Sequence, residues 1–170
     1  MNFQFNEDDL EQVALEWLQS LGYEYKKCNE ISMTGLAPER KSDKEVVLHE
    51  RLEKALRKIN SDIHPRFIEK AIHELILEKS PNLLENNLTF HENLINGIEI
   101  EDYDDEGQSI VEIVKIVDFE YPQNNDFLAV NQFTVVNEDY TKRPDIVLFI
   151  NGLPIVVIEL KNSTNETVGV

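Results

Sequence analysis

A chain of 170 residues, 41% hydrophobic and 29% charged, is the size of one domain, or a domain with a small appendage, and can bury a core. It has no apolar run near the roughly 18 residues of a membrane-spanning helix, no apolar signal core in MNFQFNEDDL, and a single cysteine, Cys28, which excludes an internal disulfide framework and a multi-cysteine zinc site. Sixteen basic against thirty-three acidic residues give a net charge of −17, which argues against a domain that grips nucleic acid unaided.

Residues 7–20 read as a helix. Asn6 is placed to cap it, Asp9 stands in the capping-box position, and acids fill the first turn. Leu10, Val13, Ala14, Trp17, Leu18 and Leu21 give one apolar face, and Gly22 ends the helix. Tyr23–Lys27 suggests a short strand, and residues 28–42, with Gly35 and Pro38, a loop. Ser42 and Glu45 suggest a second capping box before a helix running to about Asn60. Pro65 suits a first helical position, and the next helix is expected to stop at Ser80-Pro81. The two form an expected antiparallel helical pair within 43–80. A weaker helical segment over about 84–95 stops at Gly97.

The period then changes to that of strands. Ile98–Tyr103 and Ile110–Phe119 flank an acidic turn and read as a hairpin. Its tip lacks the ligand spacing of a calcium loop. Tyr121–Asp126 is a polar turn, Ala129–Val136 a strand, and 145–161 a pair of strands.

That last pair carries the chemistry. Lys142-Arg143-Pro144-Asp145 opens the apolar run Ile146–Ile150. Asn151-Gly152 signals a turn, and Ile155–Ile158 leads into Glu159-Leu160-Lys161. Continuous β-branched runs suit strands covered on both faces. An ion in such a sheet costs several kcal/mol unless paired or metal-bound. Two carboxylates brought together repel, so a divalent cation is their natural partner, and oxygen ligands favour magnesium or manganese. Alternation places Glu159 and Lys161 on one side. Regular pairing from a two-residue turn would aim Asp145 away from Glu159. A shared face therefore requires an odd-length loop or a bulge at 150–153, with Gly152 at positive φ. The chemistry expected is phosphodiester hydrolysis: Asp145 and Glu159 as metal ligands, Lys161 positioning or deprotonating water and stabilising charge.

Arg143-Pro144-Asp145 with Glu159-Leu160-Lys161 resembles the PD-(D/E)xK nuclease motif. With "LEQVALEWLQSLGYEY" at 10–25, "EVVLHERLEKAL" at 45–56, "ENNLTFHENLINGIEIE" at 85–101 and "NNDFLAVNQFTVV" at 124–136, the chain resembles the N-terminal nuclease region of the R (HsdR) subunit of type I restriction-modification enzymes. The resemblance implies a restriction-endonuclease-like α/β fold, a mixed sheet flanked by helices, over a single nuclease domain fragment. It implies Mg2+-dependent endonucleolytic cleavage of double-stranded DNA, with Asp145 and Glu159 as metal ligands and Lys161 as the catalytic lysine. The Leu160 carbonyl is also expected to face the metal. Methylation and specificity subunits are the implied partners, and ATP the cofactor of a motor further along the polypeptide. No Gly-Lys-Ser/Thr phosphate loop occurs here. The family also places a helix after the Glu-x-Lys strand, so a fragment with an incomplete site is expected, inactive alone.

Other residues carry less. His49, His64, His73 and His91 are scattered, Cys28 reads as an ordinary thiol, and Trp17 as packing. Glu11 is placed to support a metal site, though a solvated helix face is the simpler role. Residues 40–70 hold nine Lys/Arg and six Asp/Glu, a local +3, against −20 for the remainder. That patch suits either DNA or helical ion pairs such as Glu50–Lys54 and Glu53–Arg57. A soluble, cytoplasmic protein with no membrane partner is expected. Competing readings are a repair or resolving nuclease of the same superfold and a non-catalytic assembly module.

Overall fold

The computed structural model describes residues 6–77, 80–103 and 106–161. In chain order the elements are α1 (Glu7–Ser20), β1 (Glu24–Lys27), α2 (Cys28–Ile31), α3 (His49–Ile59), α4 (Pro65–Ile76), α5 (Leu83–Asn96), β2 (Ile98–Tyr103), β3 (Ser109–Val114), a 3-10 turn (Pro122–Asn124), β4 (Phe127–Asn131), β5 (Val135–Asn137), β6 (Tyr140–Lys142), β7 (Ile146–Ile150) and β8 (Leu153–Ile158). The class is α/β with a mixed sheet, as expected. Among the described residues no helix is long and apolar enough to cross a membrane. The chain divides into two compact units, one from the segments up to Val47 and from Phe127 onward, the other from Leu48–Asp126.

The first unit is built on the sheet β1-β4-β7-β8, in which β1 and β4 run parallel and the other neighbours antiparallel. Helix α1 starts where its capping box predicts: Asn6 Oδ1 accepts the Asp9 amide at 2.8 Å, and Asp9 Oδ2 accepts the Asn6 amide at 3.1 Å. Leu15 is the helix's buried residue, clustered with Ala129, Ile146 and Leu148, with Leu18, Tyr25, Ile158 and Leu160 around them. Trp17, expected in the core, is 68% exposed. The buried stripe is centred on Leu15, and this rotation brings Glu11, one turn earlier, onto the sheet side.

The expected second capping box does not form, and α3 begins only at His49. Glu45 serves the preceding loop instead. Its carboxylate accepts the Lys41 amide at 2.7 Å, and its carbonyl accepts Arg40 Nε at 2.8 Å. Arg40 is buried, donates to the Thr134 carbonyl at 2.8 Å and stacks over the Phe133 ring at 4.1 Å, which in turn packs edge-on against Phe149. Residues 28–42, expected as loop, include the helical turn α2.

The expected strand Ala129–Val136 is broken. β4 ends at Asn131, Gln132 takes a left-handed conformation (φ 53°), and the chain resumes as β5 in a separate ribbon with β6. The two-residue turn Asn151-Gly152 has φ of 53° and 79°. That is the left-handed pair a tight hairpin favours.

In the second unit α3 packs on α4, and α4 on the β2–β3 hairpin. Leu52, Leu56, Phe67, Ile68, Ala71 and Ile100 are buried. Pro65 opens α4 as expected, but the helix ends at Ile76, a turn before Ser80. Gly97 ends α5 at φ 78°, where a Cβ would lie 2.8 Å from the Val114 carbonyl. β3 stops at Val114 rather than Phe119 because the Asn60 side chain takes both backbone groups of Lys115, at 2.8 and 2.9 Å. A polar knot follows. Asp118 accepts Asn124 Nδ2 at 2.7 Å and the Tyr121 amide at 2.9 Å, and together these bonds hold its carboxyl below the usual range.

Candidate functional site

The β7–β8 hairpin positions the predicted trio. The turn pairs Ile150 with Leu153 and Phe149 with Pro154. The register then shifts between Leu148 and Phe149, leaving Ile155 as the extra residue, so that Leu148 faces Val156 and Ile146 faces Ile158. Continued one step, this register sets Asp145 opposite Glu159. The expected irregularity exists, but as a bulge at Ile155 beyond a regular two-residue turn. Gly152 has the expected positive φ.

A direct bond joins the two strand ends. Asp145 Oδ2 accepts the Leu160 amide at 2.7 Å, so its carboxylate lies against the peptide that follows Glu159. Ile158 and Leu160 pack on the Leu15 cluster. By alternation Glu159 and Lys161 turn to the other side of the strand, and Asp145, one residue before Ile146, does the same. The trio is thus brought to one strand end and one face.

The surroundings differ from the expectation of two fully covered strands. β7 is buried, but β8 is an edge strand, with Val156 and Val157 exposed. Asp145 is half-buried, whereas Glu159 and Lys161 lie just past the end of β8 and are exposed. Solvent, rather than a desolvated interior, meets two of the three charges, so burial cost is not what demands a cation here. The helix expected to follow lies outside the described residues.

Glu11 is not on a solvated face. It is half-buried, and its carboxylate accepts Asn131 Nδ2 at 2.7 Å and Gln132 Nε2 at 2.6 Å. Nearby, burial and then the charges of Glu11 and Glu30 push the Tyr25 phenol up. Gln132 in turn donates its amide to the Asp145 carbonyl at 2.8 Å. No feature of the sequence near Glu11 signals partners some 120 residues away.

Beside the ends of β1 and β4 lies a cavity of about 440 Å3 lined by Lys27, Cys28, Ser32, Asp43, Asn131 and Arg143, among others. Lys27 pairs across the sheet with Asn131, and Arg143 lies two residues before Asp145. The Cys28 sulfur accepts the Thr134 amide at 3.4 Å.

The basic stretch 40–70 is largely spent on ion pairs and packing. Arg40 is buried, Arg51 binds Asp126 at 2.8 Å, Arg57 bridges Glu53 and Glu69, and Arg66 and Lys70 meet Asp102. The four histidines are exposed, and His64 caps α4. Among the described residues no group of three or more His, Cys, Asp or Glu is arranged to hold a metal ion. Asp145 and Glu159 are two oxygen donors. That donor set fits magnesium, which binds through one or two carboxylates and keeps waters and phosphate oxygens in its remaining positions, and does not fit a closed zinc site.

The model of the type I restriction enzyme R protein N terminus matches residues 4–169. The type I restriction enzyme HindI endonuclease subunit of Haemophilus influenzae is 37% identical over 163 residues, which is 95% of this chain and 15% of that protein. A Methanocaldococcus jannaschii protein named as a type I restriction enzyme MjaIXP endonuclease subunit is 35% identical over 167 residues, 95% of this chain and 16% of its own length. The chain thus spans about a sixth of these relatives. It belongs to the type I restriction enzyme R protein N-terminus family.

Proposed function

We propose that this chain is the nuclease region of a type I restriction subunit, with a PD-(D/E)xK core, and that it cleaves double-stranded DNA in a Mg2+-dependent reaction. The observation that carries the reading is the 2.7 Å bond from the Leu160 amide to Asp145, together with the bulge at Ile155 that sets Glu159 opposite Asp145. Asp145 and Glu159 would hold the ion. When bound, Mg2+ supplies charge neutralisation at the scissile phosphate and lowers the pKa of a bound water. The Leu160 amide fixes the Asp145 carboxylate in place, so its orientation costs no rearrangement when the ion arrives. Lys161, on the same side as Glu159, orients the attacking water and offsets charge developing on the phosphate. No serine or cysteine nucleophile is required.

DNA is the substrate, and methylation and specificity subunits are the partners in an ATP-driven assembly. The ATP site lies outside this sequence. A chain of −17 does not attract DNA by its overall field, and most cations of the 40–70 stretch are already engaged, so the rest of the complex delivers the duplex. Lys27 and Arg143, which line the cavity at the ends of β1 and β4, are the local phosphate contacts.

The test is cleavage of plasmid DNA by the full-length subunit in its assembled complex, with Asp145→Ala, Glu159→Ala and Lys161→Ala. Each variant is expected to lose cleavage by at least a hundredfold while the complex still assembles. Cleavage at the wild-type rate by Asp145→Ala and Lys161→Ala would remove the assignment.

A further inference from the structure

We infer that Glu11 is a positioning residue for Asp145, acting through Gln132. The inference rests on the nuclease reading above and adds a role for a helix that carries none of the predicted trio. The linkage is continuous. Glu11 stands one turn before Leu15, so the burial of Leu15 fixes its place on the sheet side of α1. Its two carboxylate oxygens take one side-chain amide each, Asn131 Nδ2 at 2.7 Å and Gln132 Nε2 at 2.6 Å. Asn131 is the last residue of β4. Gln132, directly after it, holds φ at 53°, a conformation costly for a residue with a Cβ.

The same residue also reaches the site through its backbone. The Gln132 amide continues the β4–β7 register one step past the Asn131–Ile146 pair, donating to the Asp145 carbonyl at 2.8 Å, and so holds the backbone from which the Asp145 carboxylate projects. The carboxylate then meets the Leu160 amide. Glu11 therefore clamps Gln132 left-handed, Gln132 anchors the Asp145 backbone, and Asp145 joins the strand that carries Glu159. By alternation Glu11 lies on the α1 side of the sheet and the trio on the other, so it acts through the strand end and does not touch the reacting groups.

A clamp of this kind is replaceable in a way that a ligand is not. Glycine adopts positive φ without steric cost. If Glu11 serves to hold Gln132 left-handed, glycine at 132 makes the clamp dispensable. Cleavage is measured in the full-length assembled complex for Glu11→Ala, for Glu11→Ala with Gln132→Gly, and for Asp145→Ala. Glu11→Ala is expected to slow cleavage at least tenfold, and the double variant to recover to within threefold of wild type. Equal loss in the single and double variants, or wild-type cleavage by Glu11→Ala, overturns the inference. If Glu11→Ala does not fold, Glu11→Gln, which keeps one acceptor, replaces it in the same comparison and is judged by the same rescue. Asp145→Ala separates the two claims: undiminished cleavage there removes the nuclease reading itself, whereas abolished cleavage with no rescue of Glu11 removes only the positioning role.

Discussion

The carboxylate of Asp145 and the amide of Leu160 lie 2.7 Å apart, joining the first residue before β7 to the second residue after β8. A side chain here substitutes for the ladder where regular pairing stops. The bond ties the candidate site to the register of the hairpin, and the register to the extra residue at Ile155.

Deletion of Ile155 tests that dependence. Removing the extra residue leaves a regular ladder from the turn in which Ile158 still faces Ile146 and Glu159 still faces Asp145. The account predicts that the full-length complex carrying this deletion keeps DNA cleavage within about tenfold of wild type, a cost of about 1.4 kcal/mol in the barrier. A loss as large as that of Asp145→Ala would show that the bulge itself, and not the pairing it sets, is required.

The core of the first unit predicts a contrast between two residues of α1. Leu15 is 1% exposed, and its replacement by alanine is expected to cost about 2–5 kcal/mol. Trp17→Ala, on the solvent side, is expected to change stability by less than about 0.5 kcal/mol. Urea denaturation of the two variants decides it, and a larger loss for Trp17→Ala contradicts the packing described.

Asp118 predicts acid sensitivity. Its hydrogen bonds from Asn124 and Tyr121 hold its pKa below the ordinary 3.8. A carboxyl depressed in the folded state stabilises above its unfolded pKa, and that contribution is lost as pH falls through the folded value. Denaturation midpoints should therefore fall more steeply below about pH 4 in wild type than in Asp118→Asn. Parallel pH profiles for the two proteins would contradict this.

Lys27 and Arg143 predict a salt signature. If each meets one DNA phosphate, replacing it with glutamine lowers the slope of log affinity against log salt by about 0.9, with little dependence on base sequence. Binding of a duplex by the full-length complex in calcium, across a salt series, measures this. An unchanged slope in the double variant removes both contacts.

Much of this architecture follows from local signals. The capping box of α1, Pro65 at the start of α4, Gly97 at the end of α5 and Asn-Gly between β7 and β8 all act over a few residues, so their spacing reveals them. The expectation that Asp145 and Glu159 face each other rests on register, and the bulge at Ile155 supplies it; the expected burial cost does not apply, since Glu159 and Lys161 are exposed. What escaped were features set by distant partners. Trp17 and Leu15 both fit helical spacing, and only the rest of the sheet selects Leu15. The stretch Ala129–Val136 reads as one strand because nothing beside Gln132 reveals its bond to Glu11. Arg40 reads as a surface cation, yet the Thr134 carbonyl and the Phe133 ring bury it. The run Ile155–Ile158 suggests two covered faces, but β8 is an edge, and apolar composition alone does not distinguish an edge strand from a central one.

The central claim is that Asp145 and Glu159 clasp one divalent ion, and Mn2+ binding followed by electron paramagnetic resonance tests it most directly. The full-length subunit, without nucleotide and bound to duplex DNA, is compared with the Asp145→Asn/Glu159→Gln double variant. The account predicts at least a tenfold loss of Mn2+ affinity in the double variant; equal affinity in the two proteins would contradict it.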